Sequence, residues 1–471
     1  MFNRYPAAIM ETIGKRRWPL LFGLAILLSL ALRYPFLQDG HEDEVHTIGR
    51  ALQLIYTGDL NPHFFYHPTG TMYLCIPANI LAFASMSRDV GGRPGVKGDS
   101  PFNLVQRELP NPTQHEMFTG AGAPLWNLFR YRVRTIFVWL IPLQIVILWY
   151  IGKRLNLLPP ALAAAFLLAC SSANIRDSVY VSVNNTTGAF CLLAVALTAG
   201  FVCRTPAETM RTWLFRLAAL SFVGGLAIAC KYNAGTFLLI PMIYGMYTIP
   251  YRSTEKQFLP EKLLAGFAIL LLGMTAGFTV LCPYWFKELQ IFIPQVLYQV
   301  WYFKVGHADW NTFEPGWQMA YINLRCLADQ FGWFGIVLTA TSIGYLAWNG
   351  FFKNPEWQQT QWVLISTFAA CAAFFVLMSN QAVFFARNFS IMWSSWFFCC
   401  AVSWWFAAKL FAEKRGCQNC ARFQNLFLLC VTSICLLKAY FIDPALGPQR
   451  EWWRQNDEIR TALGFWLRKF F

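Results

Sequence analysis

Residues 19–46 read PLLFGLAILLSLALRYPFLQDGHEDEVH. The run from Pro19 to about Leu32 is apolar. Arg4, Lys15, Arg16 and Arg17 precede it, and Asp39, His41, Glu42, Asp43, Glu44 and His46 follow it. Basic residues ahead of an apolar helix place the N-terminus on the cytoplasmic side of a membrane. Ser29-Leu30-Ala31 is a weak cleavage-like triplet, but the acidic motif comes directly after it and needs the anchor, so the start is read as uncleaved. Ionisable side chains are expensive near hydrocarbon, which makes four carboxylates at the exit of a span a functional-site candidate.

The remaining composition agrees. Of 471 residues, 56% are hydrophobic, 17% aromatic and only 13% charged, with mean hydropathy +0.39. That is more apolar surface than a soluble fold buries. Apolar runs of 18 or more residues specify spanning helices, whereas a β-barrel would alternate over segments of about ten. The chain is therefore expected to be an all-α polytopic membrane protein. Further spans are expected near 131–151, 159–174, 185–203, 212–230, 233–250, 262–282, 331–348, 361–379, 389–411 and 423–442, about eleven in all. Alternating sides from a cytoplasmic N-terminus puts the short basic connections at Lys153/Arg154, Arg204/Arg211/Arg216, Arg252/Lys256/Lys262, Lys353 and Lys414/Arg415/Arg422 in the cytoplasm. All six histidines then lie on the outer side with the acidic motif. The net charge of +14 reports these loops and no nucleic-acid partner. Most of the 14 cysteines sit in apolar runs as small core residues, and Cys417-x-x-Cys420 has no second pair at zinc spacing.

A single membrane domain over 1–442 is expected, with two long outer loops at 37–130 and 283–330 and an amphipathic outer tail at 443–471. The first loop opens with a helix that places Val45, Ile48, Leu52 and Ile55 on one face and Asp43, His46 and Arg50 on another, as an interfacial helix would. Thr71–Ala84 reads as a second interfacial piece, being short for a span and broken by Pro77. Arg88–Thr119, rich in Gly, Pro and polar residues, reads as a lid.

Asp43-Glu44-Val45-His46 resembles the acidic motif of the family 39 glycosyltransferases, the protein O-mannosyltransferases and their bacterial relatives. Gly58-Asp59-Leu60-Asn61-Pro62-His63-Phe64-Phe65-Tyr66-His67-Pro68 is similar to the loop that follows it in bacterial members. Ile175-Arg176-Asp177-Ser178-Val179-Tyr180, Gly225–Asn233 and Arg387-Asn388-Phe389 continue the likeness in order, over roughly residues 15–410. The resemblance implies the GT-C membrane fold. It also implies transfer of a monosaccharide from a polyprenyl-phosphate carrier to a protein, lipid or glycan acceptor on the outer side of a bilayer, with inversion at the anomeric carbon. That side is the periplasmic face of a bacterial inner membrane, or the lumen of the endoplasmic reticulum.

Asp43 matches the catalytic aspartate of that family and, with Glu44 beside it, is the expected base. Desolvation and the neighbouring Asp39, Glu42 and Glu44 should raise its pKa, which suits proton abstraction near neutrality. A solvated charge cluster is the plain alternative for these acids. The leaving phosphate calls for cations, and Lys231, Arg387 and the group Arg130, Arg132 and Arg134 stand at outer ends of spans, where headgroup anchors also stand. His46, His67, Arg176, Asp177, Tyr232 and His307 complete the expected substrate contacts. Asn184-Asn185 replaces an acidic residue common in the family at that point, which removes one carboxylate from any inferred metal or acceptor contact. No cofactor is required by such a displacement, and a divalent cation at the acidic cluster stays open. A polytopic transporter, or a transferase with an acyl or oligosaccharide donor, is the competing reading. A transporter would more often carry its charges at mid-membrane in repeated halves.

Overall fold

The computed structural model describes residues 7–37, 44–90, 123–203, 209–248, 259–306, 312–354, 357–416 and 420–442. Asp39, Glu42, Asp43 and His307, most of the expected lid and the expected tail at 443–471 lie outside these residues. The described helices are α1 (Ala7–Arg33), α2 (Arg50–Thr57), α3 (Gly70–Val90), α4 (Ala123–Phe137), α5 (Leu140–Arg154), α6 (Leu158–Cys170), α7 (Ser172–Ser178) and α8 (Val183–Val202). They continue with α9 (Met210–Cys230), α10 (Leu239–Thr248), α11 (Leu259–Leu281), α12 (Leu289–Val305), α13 (Trp317–Trp348), α14 (Gln358–Ser379), α15 (Trp393–Lys414) and α16 (Cys420–Ile442). A π-helical turn, Val45–Gly49, leads into α2, and 3-10 turns Tyr232–Leu238 and Ala386–Ile391 precede α10 and α15.

Seven described helices are long and apolar enough to cross a membrane, and nine if each of two bent pairs counts as one span. The chain is an integral, multi-pass membrane protein. One bent pair is α6 with α7, turned by 62° where Ser171 adopts extended geometry and its Oγ caps the Asn174 amide. The other lies within α13, at Gly332, whose φ of +78° suits a residue without Cβ.

Alanine-rich α6 packs against α1, α5, α15 and α16, with Ala161, Ala164, Ala165, Leu168 and Ala169 buried. A helix apolar all round belongs inside a bundle. Helices α9 and α11 meet through glycines. A Cβ at Gly225 would fall 2.1 Å from the Met274 carbonyl oxygen, and one at Gly277 would fall 2.0 Å from that of Phe222. Such small-residue contacts let backbones approach where lipid competes with side-chain packing. The rest of α11 faces outward, with Leu264 and Leu272 exposed.

The first long loop folds into its own cluster. Ile48 and Leu52, expected on the apolar face of an interfacial helix, pack with Met72, Cys75, Phe83, Trp126, Phe129 and Val133 from α3 and α4. One detail differs from expectation: Thr71–Ala84 is the middle of a 21-residue helix, α3. The segment expected as a span at 131–151 lies within Trp126–Arg154, which is long and apolar enough to cross a membrane and has a two-residue turn at Val138–Trp139 between α4 and α5.

Candidate functional site

The C-terminal ends of α1, α6, α9 and α11 and the N-terminal ends of α8 and α15 come together at one end of the bundle, through contacts that cross the sequence. Four groups of side chains occupy that end.

The first is built on Glu44. Its side chain is fully buried, and Arg134 donates to both carboxylate oxygens, from Nε to Oε1 at 2.7 Å and from Nη2 to Oε2. Arg130 Nη1 stands 3.9 Å from Oε2, and the Val181 amide donates to Oε1 at 2.9 Å. Arg134 also donates to the Leu37 carbonyl at 2.8 Å, while Thr47 Oγ1 donates to the Val181 carbonyl at 3.2 Å. Apart from the Arg134–Leu37 bond, these join Glu44 and Thr47, at the start of the π-helical turn, to α4 or to the 179–182 segment. A carboxylate so enclosed ties these elements together. Of the three arginines that crowd the outer start of this span, Arg134 is the one that fixes it.

The second group surrounds Lys231. This residue ends α9 in extended conformation, and its Nζ donates to Asn184 Oδ1 and, at 2.6 Å, to Asn388 Oδ1. Asn184 is the first turn of α8, and Asn388 lies in the 3-10 turn ahead of α15 beside Arg387. Asp177 binds the same turn and Asn185 binds Asp177: Ser390 Oγ donates to Asp177 Oδ2 at 2.6 Å, and Asn185 Nδ2 donates to the Asp177 carbonyl at 3.1 Å. The Asn184-Asn185 pair therefore holds a lysine and a helix break. Arg387 stacks 4.7 Å from the Phe385 ring, and Arg176 projects with 59% of its side chain exposed.

The third group contains His46 and His67, whose rings lie 5.3 Å apart. His46 stacks on Phe64 at 6.0 Å, and the Arg50 guanidinium sits 3.6 Å over the Phe64 ring. Burial holds the Arg50 pKa below its ordinary value. The Arg50 guanidinium enters this cluster through Phe64, a neighbour that helical spacing could not reveal. Tyr232, next to Lys231, donates its hydroxyl to the Phe65 carbonyl at 2.9 Å and so joins this loop to the second group.

The fourth group secures α12. His63 Nδ1 lies 2.9 Å from Glu288 Oε1 and its Nε2 lies 3.2 Å from Asp59 Oδ2. Asn61 Nδ2 also donates to Glu288 Oε1, and the Phe65 amide donates to Gln295. The Asn61 amide, at 2.8 Å, and His63 hold the exposed Asp59 carboxyl below the usual carboxylate range.

Of the expected residues, Glu44, His46, His67, Arg130, Arg132, Arg176, Asp177, Lys231, Tyr232 and Arg387 are described, and they share this end of the bundle. Two groups are bridged by one short segment, since Val181 contacts Glu44 and Asn184 contacts Lys231. Arg33 was not foreseen. Fully buried, it donates to Ser178 Oγ at 2.6 Å, to the Ala169 and Leu168 carbonyls at 2.8 and 3.2 Å, to Ser29 O at 3.0 Å and to Asn174. It caps the open C-terminal end of α6 as a cation suits a helix C-terminus. Among the described residues no group of three or more His, Cys, Asp or Glu side chains is placed to hold a metal ion.

No protein-family model matches the sequence, and none of the curated proteins compared with it does. Solved structures do match. ArnT from Cupriavidus metallidurans bound to undecaprenyl phosphate is 11% identical, with a TM-score of 0.51 over 90% of this chain and 77% of that one. The Archaeoglobus fulgidus oligosaccharyltransferase tethered to an acceptor peptide is 12% identical, with a TM-score of 0.53 over 92% of this chain. This chain spans 55% of the length of that enzyme. Together with the helical membrane architecture, these likenesses give the chain the GT-C glycosyltransferase fold.

Proposed function

We propose that the chain is an inverting glycosyltransferase that moves a monosaccharide from a polyprenyl-phosphate carrier to a protein, lipid or glycan acceptor at the periplasmic or lumenal face of its membrane. The observation that carries this reading is the meeting of Lys231, held by Asn184 and Asn388 beside Arg387, with the segment that clamps the acidic motif through Glu44. The solved ArnT structure is bound to undecaprenyl phosphate, a ligand of the class this site would take.

Glu44, which follows Asp43 in the sequence, is bound by Val181, and three residues on Asn184 binds Lys231. In the proposed reaction the acceptor hydroxyl oxygen attacks the anomeric carbon while the bond from that carbon to the phosphate oxygen breaks. The phosphate leaves with the electron pair, and Lys231 and Arg387 stabilise its gathering charge. Asp43 takes the hydroxyl proton and later returns it to solvent. In-line displacement inverts the anomeric carbon and needs no enzyme nucleophile. Glu44 and Arg134 act as positioning residues, and His46, His67, Tyr232, Arg176 and Arg130 line the approach to sugar or acceptor.

The test is release of polyprenyl phosphate from polyprenyl-phosphate monosaccharides by the purified protein, with Asp43→Asn and Lys231→Met alongside. Expected are retained donor binding with collapsed turnover in Asp43→Asn, and turnover lowered on the order of 10²- to 10³-fold in Lys231→Met, as for loss of one charge-stabilising donor. Full activity of Asp43→Asn would remove it as base. Consumption of an oligosaccharide donor alone would favour the chemistry named for the archaeal structure, and consumption of no lipid-linked sugar would sink the reading.

A further inference from the structure

Lys231 carries an ammonium, which donates hydrogen bonds and accepts none, so any amide that meets it must present its oxygen. Asn388 does so, taking the Lys231 Nζ proton on Oδ1 at 2.6 Å, and this contact fixes which way its amide is turned. The Nδ2 end points away from the ammonium. Covalent geometry keeps Nδ2 about 2.2 Å from Oδ1, and so within about 5 Å of Nζ. Asn388 is only 2% exposed, and its Nδ2 is buried with no hydrogen-bond partner among the described residues. A buried N–H without an acceptor is costly, and in a native fold it calls for an explanation.

The turn that carries Asn388 gives the side chain no freedom to seek an acceptor elsewhere. The Asn388 backbone amide donates to the Phe385 carbonyl at 2.9 Å, and Ser390 Oγ is held by Asp177. Phe389 between them is fully buried, with its ring 5.9 Å from that of Phe374 and 6.1 Å from that of Trp393. Helix α8 closes on the same turn so tightly that a Cβ at Gly188 would fall 2.8 Å from the Ser390 carbonyl oxygen.

We propose that Asn388 is a further catalytic residue, whose Nδ2 donates a hydrogen bond to an oxygen of the leaving phosphate beside the Lys231 ammonium. The inference rests on the glycosyl transfer proposed above and adds a neutral donor to its two cations. The chemistry selects the ligand. Lys231 Nζ, Asn388 Nδ2 and the guanidinium of Arg387, the preceding residue, are all donors. An acceptor-only anion satisfies such a set, whereas a sugar hydroxyl would bring a proton that none of these nitrogens can accept. During transfer the bond from the anomeric carbon to the phosphate oxygen breaks and its electron pair stays on the phosphate, so a singly charged diester becomes a monoester approaching two charges. No proton passes through Asn388, and the hydroxyl proton goes to Asp43. A fixed N–H among the oxygens where that charge collects stabilises the departing phosphate more than the bound donor.

The experiment compares Asn388 with Asn184, whose Oδ1 also accepts Lys231 Nζ but whose Nδ2 is not a buried, unpaired donor. Asn388→Asp and Asn184→Asp each keep an oxygen on the ammonium and add a charge. Asn388→Ala and Asn184→Ala repeat the comparison without the charge. The purified full-length proteins are assayed for binding of undecaprenyl phosphate, for binding of an undecaprenyl-phosphate monosaccharide and for release of the first from the second. In each pair the Asn388 variant should bind undecaprenyl phosphate about 10- to 100-fold more weakly than its Asn184 counterpart, as for one lost hydrogen bond to a charged group. Affinity for the sugar-bearing lipid should differ within a pair by no more than about threefold, and turnover should fall in the order of undecaprenyl phosphate binding. Equal losses within either pair, or larger losses at Asn184, would make Asn388 a clamp on Lys231 alone and overturn the proposal, with the transferase reading intact. A wild type that neither binds nor releases undecaprenyl phosphate would overturn both.

Discussion

The Glu44–Arg134 pair lends itself to a quantitative test. Both side chains are 1% exposed or less, and Arg130 shares the same carboxylate. Glu44→Gln leaves Arg134 buried with one neutral amide and the Leu37 carbonyl, while Arg134→Met leaves a buried carboxylate facing only Arg130 at 3.9 Å and the Val181 amide. Removing one member of a buried ion pair costs about 3–5 kcal/mol, because the survivor keeps its desolvation penalty and loses its partner. The double variant Glu44→Leu/Arg134→Met removes both penalties. It retains mainly the loss of an acceptor for the Val181 amide, about 1–3 kcal/mol. The singles should therefore sum to about 6–10 kcal/mol and the double should fall at least about 3 kcal/mol below that sum. SDS-titrated unfolding in one fixed detergent, run on all four proteins, measures the cycle. Additive singles, or a Glu44→Gln within about 1 kcal/mol of wild type, would refute the claim that Glu44 is a buried anchor.

Gly225→Val should prevent α9 and α11 from closing, since even a Cβ at Gly225 would lie 2.1 Å from a backbone oxygen; an unaltered monodisperse peak on size-exclusion chromatography would contradict this. Arg33→Lys should destabilise more than Arg33→Met, because lysine keeps a buried charge but cannot reach the acceptors that the guanidinium fork bridges; thermal unfolding in detergent ranks the two, and the reverse order would count against the account. The Asp59 carboxyl is held low by the Asn61 amide and His63, so its contact is complete above the ordinary carboxylate pKa and is lost as pH falls through a lower value. The Asn61 amide resonance should accordingly titrate with a midpoint below about 3.9, and a midpoint at or above it would refute the bond.

The long apolar runs made the bundle legible in the sequence, because hydrocarbon imposes a length and a composition on each span that local reading can detect. Lys231 and Asn184 were legible as polar residues at span ends, but their bond was not, since 47 residues separate them. Arg33 was hidden for the same reason, and Arg134 could not be told from Arg130 and Arg132: an arginine beside an apolar run reads as a headgroup anchor until its acceptors are known. Helix α12 was hidden differently. Its 17 residues are apolar on every face, so periodicity could not mark the side that meets Phe65.

Arg33 also bears on the order in which the chain assembles. Four of its acceptors lie 135–145 residues further on, in α6 and α7, and it has no carboxylate partner among the described residues. A guanidinium cannot leave water before those oxygens exist to receive it. Until α6 and α7 are in the membrane, the first helix must keep this end in the headgroup layer. It then docks against α6 only after more than a third of the chain has been made. The opening anchor of the sequence is thus among the later pieces to reach its final place, and a pulse-labelled Arg33→Cys variant should stay open to water-soluble maleimide in nascent chains that stop before residue 168 and close in chains that pass 178.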